Sequence, residues 1–174
     1  MKATDRKFRK AVVLLTFVCT VVVLTGCGTV HHQLRLEPGY TPQAGTKVEV
    51  GPVENATGKT VAVNVEPLLA DALAEALRRE DLLWAGSGPK KLVVRSKIVE
   101  YDEGSAVKRW LLPGWGSTVL SIECDLHEAD RLVGSVQARR TISIGGFYTV
   151  NAWKTVFASI AKDVVGELQT QIGR

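Results

Sequence analysis

The sequence predicts an α+β fold, a two-layer sandwich in which a mainly antiparallel sheet of about five strands carries two amphipathic helices on one face. Three observations predict it. The segments Ser117 to Glu128 and Leu132 to Ile144 alternate apolar and polar residues with the period of a strand that is wet on one side only. Two other segments, near 66–80 and 151–171, repeat apolar residues at steps of three and four, the period of a helix with one buried stripe. Glycine, proline and acidic clusters separate these runs, and elements of both kinds in one chain of this size pack as layers around one core.

Ahead of that domain stands a different kind of segment. Lys2, Arg6, Lys7, Arg9 and Lys10 precede Ala11 to Leu24, a stretch without a charge. A basic start, a short apolar run and small residues after it form an export signal. The run is too short for the roughly 17–25 residues that a membrane-crossing helix needs. Leu24-Thr25-Gly26-Cys27 closes it, and these four residues resemble the lipobox of bacterial lipoproteins. The resemblance implies cleavage between Gly26 and Cys27, acylation of the new N-terminal cysteine with palmitate-type chains, and attachment to a membrane through the lipid on Cys27. Two or more chains give stable anchoring where one gives only marginal binding. Gly28 follows the cysteine in place of an aspartate retention signal, which implies the periplasmic face of the outer membrane rather than the inner membrane.

Cleavage changes what the composition means. The whole chain has 22 Lys and Arg against 18 Asp and Glu; without the five bases and one acid of residues 1–26 it has 17 of each. The basicity belongs to the signal, and a neutral domain is no nucleic-acid binder. Cys19 leaves with the signal and Cys27 takes the lipid, so Cys124 has no disulfide partner and packing alone must hold the core.

Residues 27–45, with Pro38, Gly39, Pro42 and Gly45, read as a tether able to reach roughly 60 Å, in which His31 and His32 are solvated. The alternation of Leu34 and Leu36 around Arg35 allows part of it to dock as an edge strand instead. A single domain, 46–174, follows. Thr46 to Val50 alternates as a first strand, and Gly51-Pro52 and the stretch 54–59 interrupt it with turn residues. Thr60 to Val65 reads as a loop or short strand into the first helix, about Glu66 to Glu80. That helix has Pro67 in its first turn, where a missing N–H is tolerated, and Leu69, Leu73, Ala76 and Leu77 on one face. Leu82 to Ala85 reads as a short strand.

Lys91 to Tyr101 is a longer strand, with Leu92, Val94 and Ile98 on one face and Val93, Val99 and Tyr101 on the other. In the clearest pair, Leu120, Ile122, Cys124 and Leu126 share a face, as do Gly134, Val136, Ala138, Ile142 and Ile144. Opposed residues lie on the same face, so even positions pair with even ones. That parity predicts an odd loop, Ala129-Asp130-Arg131, and excludes a two-residue turn. It also aims Arg140 into the apolar face opposite Leu120, which a bulge at Arg139-Arg140 would relieve; the alternative is a paired or snorkelling arginine. After Gly145-Gly146 the final helix, Asn151 to Gln171, buries Val156, Phe157, Ile160, Val164 and Leu168 and turns Lys162, Asp163 and Glu167 to water.

The most unusual stretch is Arg109-Trp110-Leu111-Leu112-Pro113-Gly114-Trp115-Gly116, where a polar connection is expected. Either Trp110, Leu111, Leu112 and Trp115 form an apolar loop that meets a partner or the membrane, or the loop folds over the open end of the sandwich. Glu123, Asp125 and His127 share a strand face at steps of about 7 Å, too far apart for one strand to surround an ion, and read as a solvated face. Cys124 points to the core, no histidine, nucleophile and acid fall into a catalytic spacing, and no glycine-rich phosphate loop is present. The sequence thus points to no metal, no cofactor and no enzyme.

From about Val48 to Leu168 the chain also resembles a family of small bacterial envelope lipoproteins known only as a domain of unknown function. The resemblance rests on the helix ending at Leu77, the segment from Arg109 to Ser117, Cys124-Asp125 in the next strand, Gly134 after the turn and the final helix. Pro113-Gly114-Trp115-Gly116 here replaces a more glycine-rich loop. The expected role is that of a lipid-anchored accessory or protein-interaction module of an envelope complex. A carrier or sensor of a small or lipid ligand is the alternative, and an enzyme comes third.

Overall fold

The computed structural model describes residues 30–61, 63–86, 91–111, 115–143 and 151–172. The lipobox with Cys27, Leu112, Gly145-Gly146 and the side chains of His31 and Trp110 lie outside the described residues. Among the described residues five strands, β1 (Val30–Leu36), β2 (Lys47–Asn55), β3 (Lys91–Asp102), β4 (Thr118–Glu128) and β5 (Arg131–Ile142), form one sheet in the order β1-β5-β4-β3-β2. β2 and β3 are parallel and the other pairs antiparallel, so the sheet is mixed. The same residues form the helices α1 (Val65–Arg79), α2 (Ala106–Leu111) and α3 (Ala152–Ile172). α1 lies over β2 and α3 over β5, β4 and β1, and the two touch each other on one side of the sheet. The fold is the expected α+β sandwich.

The parallel pair follows from α1. A strand that is continued by a helix crossing the sheet returns in the same direction, and α1 is that crossover. Its Val65, Leu69, Leu73 and Leu77 are all buried, one stripe at helical spacing. They meet Val48, Leu92, Val94, Ile98, Leu120, Ile122, Cys124, Leu126 and Val136 from the sheet and Val156, Phe157, Ile160, Val164 and Leu168 from α3.

Several expectations are corrected. Within the stretch read as a tether, Val30–Leu36 takes the docked alternative and pairs along its whole length with β5, from Val30 opposite Arg140 to Leu36 opposite Gly134. Gly134 makes the approach possible: a Cβ there would stand 2.8 Å from Leu36 Cδ2 and 2.9 Å from the Arg35 carbonyl oxygen. His32 is no solvated tether residue, since its Nε2 lies 2.8 Å from Glu167 of α3. Leu82–Ala85, read as a strand, contributes a single bridge of Leu83 to Val48, and β1 supplies the fifth strand in its place. Of the loop or short strand read for Thr60 to Val65, the described residues take the loop form and Val65 already opens α1, and α2 had no counterpart in the sequence reading.

The β4–β5 turn has two residues, Ala129 and Asp130, between the paired Glu128 and Arg131, where the sequence reading required three. The even-to-even register nevertheless holds from Leu126 opposite Gly134 to Leu120 opposite Arg140, because a bulge at Val133 inserts the missing residue. Ala129 enters the turn at φ 54°, a conformation that costs an alanine about 1 kcal/mol and leaves no glycine or asparagine to announce it. No bulge occurs at Arg139-Arg140, where the pairing with β4 runs on without a shift. Instead the Arg140 guanidinium donates from Nη1 to both carboxylate oxygens of Asp163, at 3.0 and 2.7 Å, and Asp163, expected in water, is largely buried by that contact.

A second bulge sits at Val99, between the pairs Ile98–Ile122 and Glu100–Ser121. It inverts the faces beyond it, so Tyr101 is buried in the core rather than on the wet side with Val93. Its ring lies 5.6 Å from that of Phe157. The hydroxyl is buried with no hydrogen-bond partner among the described residues, and burial pushes its pKa up to about 12.

Candidate functional site

Because both long helices cover the same side of the sheet, the other side is bare among the described residues. The strands present on it a polar array: Arg35, Ser135, Asp125 and Arg95 in one cross-strand row, and Gln33, Gln137, Glu123 and Lys97 in the next. Alternating charge across neighbouring strands holds such a row in place. The bulge at Val99 adds Glu100, which accepts hydrogen bonds from Arg139 Nε at 3.1 Å, from Arg139 Nη2 at 3.2 Å and from Ser121 Oγ at 2.8 Å. The Arg139 guanidinium and then the Ser121 hydroxyl hold the Glu100 carboxyl below the usual range, while the same pairing raises Arg139. Ser121 and Arg139, with His32, Gln33, Val99, Glu123 and Gln137, line a shallow hollow of about 500 Å³.

The bare face is a platform rather than a cleft. Glu123 and Asp125 stand opposite Lys97 and Arg95, and Gln137 Nε2 donates to Glu123 at 3.5 Å. His127 is half-buried, with Nδ1 buried and without a partner among the described residues. Among the described residues no three His, Cys, Asp or Glu side chains gather closely enough to hold an ion. Cys124 lies on the opposite, core side, fully buried, with Sγ 3.3 Å from Ser96 Oγ. Burial pushes the thiol up to about 11, and only the thiolate attacks. Iodoacetamide at pH 8 is therefore expected to leave Cys124 unmodified in the folded domain and to alkylate it fully in denaturant, a difference read by mass spectrometry.

The second feature is the connection from β3 to β4. Glu103 O accepts from Thr118 Oγ1 at 2.8 Å and Ser105 N–H donates to Gly116 O at 2.8 Å, which closes the base of the connection. α2 stands on that base. Gly116, at φ 74°, packs where a Cβ would come within 2.7 Å of Lys108 Cβ, so the returning chain lies against the helix. Val107 and Leu111, one turn apart, are 69% and 55% exposed, and Trp115, on the returning chain, is 50% exposed. Lys108 Nζ stands 5.7 Å from the centre of the Trp115 ring. Leu111 and Trp115 are thus both exposed, Leu111 on α2 and Trp115 against its Lys108, and Val107, exposed on the same helix, was not singled out in the sequence. Its signal was the step of four to Leu111, which an apolar loop did not suggest reading as helix.

No curated protein sequence matches the chain. Among solved structures the fold is similar to that of PelC from Paraburkholderia phytofirmans, crystallised as a dodecamer. One form is 19% identical, with a TM-score of 0.56 over 81% of this chain and 98% of that one. A second, a leucine-to-methionine variant of the same protein, is 20% identical with a TM-score of 0.55 over 82% and 97%. XCC0632 from Xanthomonas campestris is 12% identical, with a TM-score of 0.48 over 77% of this chain and 90% of that one. At this identity the likeness is one of fold. The model of a domain of unknown function, DUF4410, matches residues 37–146, starting and ending earlier than the sequence resemblance and leaving out α3. That match covers more than half of the chain, and the chain belongs to the DUF4410 family.

Proposed function

We propose that this protein is a lipid-anchored, non-catalytic module on the periplasmic face of the outer membrane, held by acyl chains on Cys27 and acting through protein contact within an envelope complex. The observation that carries the reading is the bare sheet face: a broad polar surface, held in part by the contacts of Glu100 with Arg139 and Ser121, suits the meeting of one folded surface with another better than the enclosure of a small molecule. The fold shared with PelC, described as a dodecamer, supports a second copy of the chain as one partner. The carrier reading places its ligand between helices and sheet, where Leu69, Leu73, Ile122, Phe157 and Ile160 are packed against each other.

Two measurements test it. Labelled palmitate is expected in the full-length protein and absent from Cys27→Ser, which leaves the membrane fraction; equal labelling of both refutes the anchor. Light scattering of the detergent-extracted protein is expected to give a mass several times that of one chain, reduced by Glu123→Lys with Gln137→Lys on the bare face. A single-chain mass, together with no protein crosslinked in cells from a photoreactive residue at position 123, overturns the contact role.

A further inference from the structure

The strand directions put one end of the sheet in a special position. Val30 begins β1 opposite Arg140 near the end of β5, Thr118 begins β4 opposite Ile142, and Asp102 ends β3 opposite Val119. The start of β1 and the β3–β4 connection are therefore at the same end, and α2 with its exposed Val107, Leu111 and Trp115 stands there. Cys27 precedes Val30 by three residues, a span of at most about 10 Å. Two strand spacings, again about 10 Å, separate β1 from β4 across the sheet. A lipid on Cys27 would therefore have its root within reach of the β3–β4 connection, which among the described residues carries three large exposed apolar side chains.

We infer that this connection is a second membrane contact, in which Val107, Leu111 and Trp115 enter the headgroup and upper acyl region of the bilayer that holds the Cys27 lipid. The inference rests on the anchor proposed above. Tryptophan favours that depth because its ring is apolar and its N–H can reach water or a headgroup, and Lys108, stacked over it, has a long apolar stem that lets its ammonium return to the phosphates. A lipid on a chain terminus fixes position only; a second contact also fixes orientation. The strands then stand across the membrane plane, with the Ala129–Asp130 turn and the C-terminal end of α1 directed away from it. The bare sheet face becomes a wall on the lateral side of the molecule, turned toward neighbours anchored in the same leaflet.

The full-length lipidated protein is bound to vesicles of phosphatidylethanolamine and phosphatidylglycerol, with or without bromines on the upper part of the acyl chains. Trp115 emission is read as the difference between the wild type and Trp115→Phe, an exposed position where the fold is retained. The expected result is a roughly twofold loss of that emission with brominated lipid, abolished by Leu111→Asp. Protein that floats with the vesicles while Trp115 stays equally bright overturns the inference and leaves the anchor standing. Wild type and Cys27→Ser that both fail to float refute the anchor, and the inference with it. A Trp115 untouched by bromines whose position crosslinks to a second copy of the chain assigns the patch to a protein contact and likewise overturns the inference.

Discussion

Phe157→Ala is expected to lower the melting temperature by roughly 10 °C, the largest single effect among the substitutions considered. Phe157 is 2% exposed, sits in the first half of α3 and packs its ring against Tyr101. Removing a fully packed aromatic ring loses its transfer free energy and leaves a cavity that neighbours only partly fill, about 3–5 kcal/mol together. In a domain of this size each kcal/mol moves the transition by roughly 3 °C. The tilted ring contact adds its share, because Tyr101 loses the neighbour that justifies burying its hydroxyl without a partner. Val107→Ala, at a 69% exposed position, is the control and is expected to leave the transition unmoved. Thermal unfolding followed by circular dichroism separates the two.

The second large effect is expected at Asp163. Asp163→Ala leaves the Arg140 guanidinium on the helix side of the sheet, 28% exposed and opposite Leu120, with its carboxylate gone. Breaking one half of a buried pair costs about 3–5 kcal/mol, whereas a pair at the surface is worth about 0–1. A contact with one partner 16% and the other 28% exposed falls between, at about 2 kcal/mol. Replacing both groups by apolar ones, Arg140→Met with Asp163→Leu, is expected to recover most of the loss, because no charge is then left without its partner. Urea unfolding of Arg140→Met, Asp163→Leu and the double variant closes the cycle. A double variant no more stable than Asp163→Ala would show that the pair is needed for the geometry of α3 over β5 and not merely for its own neutrality.

Arg140 also shows how far the sequence could be read. Strand parity alone placed it opposite Leu120, and that is where it is; what parity could not supply was its partner, because the acid lies on a helix whose rotation over the sheet is set by packing. Asp163 looked solvated for the same reason. The alternation of β4 and β5 and the stripes of α1 and α3 were legible because burial imposes a period on them. The bulges at Val99 and Val133 were not, since each adds one residue without changing composition, and each changes a conclusion: the first buries Tyr101 and turns Glu100 outward, the second lets a two-residue turn coexist with the expected register. β1 was visible only as an alternative, in the alternation of two leucines, since its pairing with β5 joins stretches far apart in the chain. Of the candidate site, the apolar residues at Leu111 and Trp115 could be named from their types. The exposure of Val107 and their position at the end of the sheet where β1 begins required the structure.

The two borders of the sheet are unlike each other. Along β2 the first half is already taken, since Val48 donates to Leu82 O and accepts from Trp84 N, and in the second half Pro52 has no N–H to offer. β1, the other border, has no described strand beyond it along its whole length. A sheet with one usable border can extend only by meeting the same border of a second molecule. That union is two-fold and stops at two, because each molecule has spent its only strand. A closed ring of many copies needs two different surfaces that fit head to tail, and in this fold those must be built from side chains, not from a shared ladder of peptide groups.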